Sequence, residues 1–149
     1  MEEKSNDFAE IGLVYKIDDD DELQTEKVRA IKIGKYYQMK AIPRFAKNVA
    51  YNDIIAVEQA DDGLWFEDLI TPSGHSVVHI VLFKPDAFSN LYSKLVAACV
   101  NIEWVHKNTY LAVDVPSNIL YTDLKRILDE EFVLGNIDFS EACLSERHR

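Results

Sequence analysis

The chain has 149 residues, the size of one domain or of two small subdomains sharing a core. Hydrophobic residues make up 48% and charged residues 28%, a globular balance, and no apolar run approaches the ~20 residues that a membrane-spanning helix requires. The net charge of −10 tells against nucleic acid as a ligand, because phosphates would be repelled over most of the surface, and suits a basic partner.

Residues 1–25 read as an acidic arm. The start, MEEKSNDFAEIG, lacks the basic opening and apolar core of a secretory signal, so a soluble, cytoplasmic protein is expected. Within residues 1–22 nine acidic side chains face two lysines. Ile11 to Ile17 is a short apolar run that reads either as a strand or as a packing arm. Asp18, Asp19, Asp20, Asp21 and Glu22 are too dense in like charge to fold by themselves, and they read as a solvated loop: a spacer, or a docking patch for cations.

Residues 26–76 read as a small all-β subdomain, barrel or sandwich. Lys27 to Ile33 and Tyr36 to Ile42 form a hairpin around Gly34-Lys35, with the inward face of the first strand left open. This stretch is basic: Lys27, Arg29, Lys32, Lys35, Lys40, Arg44 and Lys47 occur with no acid among them. Pro43 interrupts the second strand because it has no N–H for the ladder. Three further strands follow. Asp53 to Gln59 is apolar, Asp61-Asp62-Gly63 is a turn, Leu64 to Thr71 alternates, and Pro72-Ser73-Gly74 reverses the chain again. Val77 to Phe83 is almost continuously apolar, as in a strand covered on both faces.

Residues 77–145 change grammar to β-α-β-β-α-β. Pro85-Asp86 is expected to open a helix, with Asp86 as N-cap and Phe88, Leu91, Leu95, Val96 and Cys99 along one face. Asn101 to Lys107 and Tyr110 to Val115 form a hairpin. Leu120, Leu124, Ile127 and Leu128 carry a second helix that Gly135 ends, and Ile137 to Leu144 is a last strand. That order is the ferredoxin-like arrangement, two helices on one face of an antiparallel sheet. The fold class expected is α+β, a small N-terminal β-barrel or sandwich followed by this unit. Residues 146–149, basic and polar, read as a disordered tail.

No residue pattern commits to catalysis. His75 and His79 are four apart, but across a turn and a strand that places them ~13 Å apart when extended. There is no HExxH and no CxxC, so neither a metal nor another cofactor is expected. A Ser-His-Asp set from Ser73 or Ser76 with His75 and Asp68 lacks a nucleophile elbow. Ser73, Gly74 and His75 read instead as a structural turn tied by the imidazole. Cys99 and Cys143 are far apart and flanked by apolar residues, so both are expected as buried free thiols.

The segments Ile42-Pro43-Arg44-Phe45, Asn48 to Ile55 and Pro72-Ser73-Gly74-His75-Ser76 resemble a bacterial domain family of unknown function whose members carry "IPF…V.YGD.V" and "SGHST.R". Leu111 to Pro116 is similar to that family's "AVDVP", and Asp138 to Cys143 to its "YEEA". The chain departs from the pattern at Asn52, where Gly is usual, at Val77, where Thr is usual, and at His79, where Arg is usual. The resemblance implies a fold and no activity. Small acidic proteins of this kind fit the role of a non-catalytic immunity protein that blocks a cognate toxin, a basic nuclease. Asp18 to Glu22 and Asp61-Asp62 are then the partner-binding candidates, with Trp65 as an aromatic anchor. The other reading is a ligand-sensing regulatory domain in which the basic 27–47 stretch receives a small acidic metabolite.

Overall fold

Alternating burial builds the first half of the chain. In the computed structural model, which describes residues 8–16, 22–107 and 109–149, β1 (Phe8–Lys16) and β2 (Leu23–Ile33) pair antiparallel from Phe8 opposite Ile31 to Lys16 opposite Leu23. From Glu26 to Ala30 every second residue of β2 is buried: Glu26, Val28 and Ala30 point inward, while Lys27 and Arg29 face out. β3 (Tyr36–Met39), β4 (Ile54–Ala60) and β5 (Gly63–Thr71) continue the sheet. A short parallel contact of β5 with β1, Ile11 opposite Leu64 and Gly12 opposite Trp65, closes the five strands into a barrel. Closure leaves no room at Gly12. A Cβ there would lie 2.6 Å from a ring carbon of Trp65.

The barrel core is Ile11, Leu13, Val28, Ala30, Met39 and Ile55, completed by Ala46 and Val49 from the connector between β3 and β4. The arm drawn over residues 1–25 and the β unit drawn over 26–76 are therefore corrected. Burial of Ile11 and Leu13 makes Phe8–Lys16 a barrel strand, and Ser76 belongs to the second sheet. Asp18, Asp19, Asp20 and Asp21 lie outside the described residues.

In the second half, β6 (Ser76–Leu82), α1 (Phe88–Ala97), β7 (Asn101–His106), β8 (Tyr110–Val115), α2 (Tyr121–Val133) and β9 (Ile137–Cys143) follow in that order. The strands lie β7-β8-β6-β9, each antiparallel to its neighbours. The nearly continuous apolar character of β6 has a direct cause. Val78, Ile80 and Leu82 pack under the helices with Leu91, Leu95, Leu124 and Leu128, whereas Val77 packs with Ala50 and Ala142 on the opposite face. The mixed α+β fold thus joins two mostly antiparallel sheets through the connector, with Ala50 set between them.

Several local readings change. Pro85–Ala87 is a 3-10 turn, α1 begins at Phe88, and Asp86 makes no side-chain cap. Cys99 is exposed, at φ 63° just past α1, and Cys143 is half-buried; both are free thiols. Residues 146–149 are not a loose tail: Glu146–His148 forms a 3-10 turn and His148 is buried. Among the described residues, no helix is long and apolar enough to cross a membrane.

Candidate functional site

The connector after β3 carries backbone polar groups into the junction of barrel and sheet, and each must find a partner there. Glu26, on β2, is buried and aims its carboxylate at three successive amides. Arg44 N donates to Oε2 at 3.0 Å, and Phe45 N and Ala46 N donate to Oε1 at 2.9 and 2.7 Å. The carbonyls of the same loop are met from the sheet. His79 Nε2 lies 2.9 Å from the Pro43 oxygen, so that nitrogen carries the hydrogen, and the Tyr110 hydroxyl donates to the Arg44 oxygen at 2.8 Å. Burial lowers the His79 pKa, which keeps the ring neutral, and burial beside Glu26 pushes the Tyr110 hydroxyl up to about 12.

A second set of contacts fixes the Ser73–Ser76 turn. Asp53 is buried, and its two oxygens accept from Ala50 N at 2.9 Å and Ser73 N at 2.8 Å. Burial raises its pKa, and those bonds oppose the rise. Ser73 Oγ donates to the Tyr51 carbonyl and accepts from His75 N. Asn52 sits at φ 70°, a left-handed conformation open to Gly and tolerated by Asn. This gives Asn a physical basis at a position where the resembling family usually has Gly.

His75 meets Asp114, not Asp68. Pairing of β6 with β8 sets Val77 opposite Asp114, and His75 Nδ1 lies 2.7 Å from Asp114 Oδ1. Asn101 donates to the other carboxylate oxygen at 2.9 Å. Asp68 is exposed on β5. Neither serine is poised for attack. Ser73 is committed to the turn, and Ser76 donates to His148 Nδ1 at 2.6 Å while accepting from Ser145 N. His148 Nε2 in turn donates to the Pro116 carbonyl.

These contacts wall a cleft of about 440 Å3 between the Ser73–Ser76 turn and the C-terminal segment. Asn48, Asp53, His75, Cys143, Arg147 and Arg149 line it, with Leu69, Pro72 and Leu144. Burial, with Asp53 nearby, pushes the Cys143 thiol up to about 11, so at neutral pH it is protonated and a weak nucleophile. Among the described residues no group of three His, Cys, Asp or Glu side chains is arranged to hold a metal.

Of the residues singled out from sequence, Ser73, Gly74 and His75 meet at this cleft. Asp61 and Asp62 are exposed at the β4–β5 turn, and Trp65, half-buried over Gly12, donates its indole N–H to Asp62 at 2.8 Å. Glu22 is exposed just before β2, at the far end of β1 from the Asp61-Asp62 turn. Three cations of the basic 27–47 stretch are engaged locally. Arg29 stacks on Phe8, Lys40 bonds Asn52, and Arg44 lies 3.5 Å from Glu26. Asp114, Arg147 and Arg149 were missed. The available signal for Asp114 was a carboxylate inside the otherwise apolar run Leu111 to Val115; the tail arginines gave none.

The model of a domain of unknown function, DUF4265, matches residues 26–138. The chain belongs to that family. The matched stretch begins within β2 and ends within β9, so it takes in the connector, the His75 turn and Asp114. Among solved structures the chain is similar to a hypothetical protein from Neisseria gonorrhoeae, with a TM-score of 0.82 and 28% identity over 92% of this chain and 95% of that one. No curated protein matches.

Proposed function

We propose that the chain is a non-catalytic, cytoplasmic immunity protein that binds a cognate bacterial toxin domain, a basic nuclease, and blocks it. In this reading the βαββαβ half is a ferredoxin-like support, and the barrel presents the docking face. One observation carries the proposal. From residue 48 to residue 83 the chain has no lysine or arginine, and the β4–β5 hairpin within that stretch exposes Glu58, Asp61, Asp62, Glu67 and Asp68. None of these five makes an ion pair with a described residue, so their charge is not neutralised by the rest of the barrel as described. A nuclease must present cations to phosphate, and an acidic hairpin competes for those cations while speeding encounter. The engagement of Ser73 and Ser76 in structural hydrogen bonds and the protonated Cys143 thiol favour a binding role over a catalytic one.

The test is co-expression with candidate toxin domains, beginning with any encoded beside it. The pair should co-purify, with affinity falling steeply as salt rises. Replacing Asp61, Asp62, Glu67 and Asp68 by Asn or Gln should slow association by about tenfold or more without unfolding the barrel. Binding that ignores salt, or that survives neutralisation of the hairpin unchanged, would remove the argument.

A further inference from the structure

We propose that the His75 cleft binds a small organic anion, a carboxylate or a phosphate monoester, with its charged head on His75 and Arg147 and its body against Leu69, Pro72 and Leu144. The inference does not depend on the toxin partner. It rests on a cavity whose size falls in the range of small-molecule sites and whose walls are both polar and apolar.

The donors are set by geometry. His75 is held from behind: Asp114 fixes Nδ1, and Asn101 fixes Asp114, which is itself 1% exposed. A carboxylate accepts only, so Nδ1 carries the hydrogen and Nε2 is the other ring nitrogen, with no hydrogen bond to any described residue. In the doubly protonated ring both nitrogens are donors, so with Nδ1 on Asp114 it is Nε2 that would donate to an anion. Arg147 lies across Gly74, with its Cγ and Nε 3.7 and 3.8 Å from where a Cβ would stand, and Gly74 has φ +90°. Its guanidinium makes no ion pair or hydrogen bond with a described residue, although guanidinium groups bind carboxylate and phosphate oxygens in matched pairs. Both carboxylates of the lining have partners of their own. Asp53 accepts from two backbone amides, and Glu146 pairs with Arg149 at 3.2 Å. His148, bonded on both ring nitrogens, pins the segment that carries Arg147, so this wall is built and not loose.

The experiment titrates the whole chain with inorganic phosphate, phenyl phosphate and hexanoate, and with hexanol as the uncharged control. Calorimetry gives the affinity and the His75 ring resonances report the place. Saturable binding of phenyl phosphate or hexanoate, with movement of the His75 signals and none with hexanol, is the expected result. The stronger of the two arms assigns the head group. Arg147→Gln, at an exposed residue that the fold does not need, should weaken binding by about tenfold or more. His75→Gln should do the same, with circular dichroism checking that it folds. No saturable binding by any anion, equal binding of hexanol, or an unchanged affinity in Arg147→Gln would overturn the proposal.

Discussion

Glu26→Ala is the substitution with the largest expected consequence. Glu26 is 5% exposed and its carboxylate accepts from three consecutive amides, of which only Ala46 N is fully buried. Stranding that buried donor costs about 1–3 kcal/mol, and the two part-buried amides, which water can reach, add about 0.5–1.5 kcal/mol each. The Arg44 guanidinium, at 3.5 Å and 40% exposed, adds nothing worth counting. The total is about 4 kcal/mol, a large share of the ~5–15 kcal/mol that holds a domain folded. Glu26→Gln keeps the shape and one acceptor but turns an NH2 toward Arg44 N–H, so about 2 kcal/mol is expected. Urea unfolding followed by far-ultraviolet circular dichroism and tryptophan fluorescence should rank wild type above Glu26→Gln above Glu26→Ala. The same loop meets His79 and Tyr110 of the sheet, so Glu26→Ala should also separate the two probes, with the barrel opening first. An alanine variant within about 1 kcal/mol of wild type and unchanged in cooperativity would refute the keystone role of this carboxylate.

Two other outcomes follow from the packing. Gly12→Ala should cost about 1–3 kcal/mol by forcing Trp65 off the barrel seam, and in a Trp104→Phe background the Trp65 emission should shift to the red; an unshifted spectrum would count against the seam. His79 is held neutral in the fold, with its pKa lowered from the ordinary 6.5 by burial. The unfolded chain therefore binds the extra proton first as pH falls, and the stability present above the unfolded pKa is lost as pH drops through and below it. Between about pH 7.5 and about pH 5.5 wild type should lose more stability than His79→Gln, whose amide can still donate to Pro43; parallel curves would contradict this. Asp53, with its pKa raised, works in the opposite sense from its ordinary 3.8 upward, and the difference between the two proteins cancels it.

Sequence alone was enough for the local grammar. The apolar run from Val77, the spacing of Leu91 with Leu95 and of Leu124 with Leu128, and Gly135 at φ 75° all express conformation and one-sided burial over a few residues, whereas the inward face of β2 was not legible. The Ser73-Gly74-His75 turn was legible for the same reason, because Gly at positive φ and a hydroxyl that bonds the backbone nearby are short-range features. Polar partners were not legible. His75 and Asp114 are 39 residues apart, Ser76 and His148 are 72 apart, and Glu26 reaches amides 18 to 20 residues on. Each pairing exists because two strands became neighbours or a connector crossed a sheet, and a buried donor then took the acceptor that the packing offered. Periodicity tells a side chain which way to face, but only the assembled sheets decide what it faces.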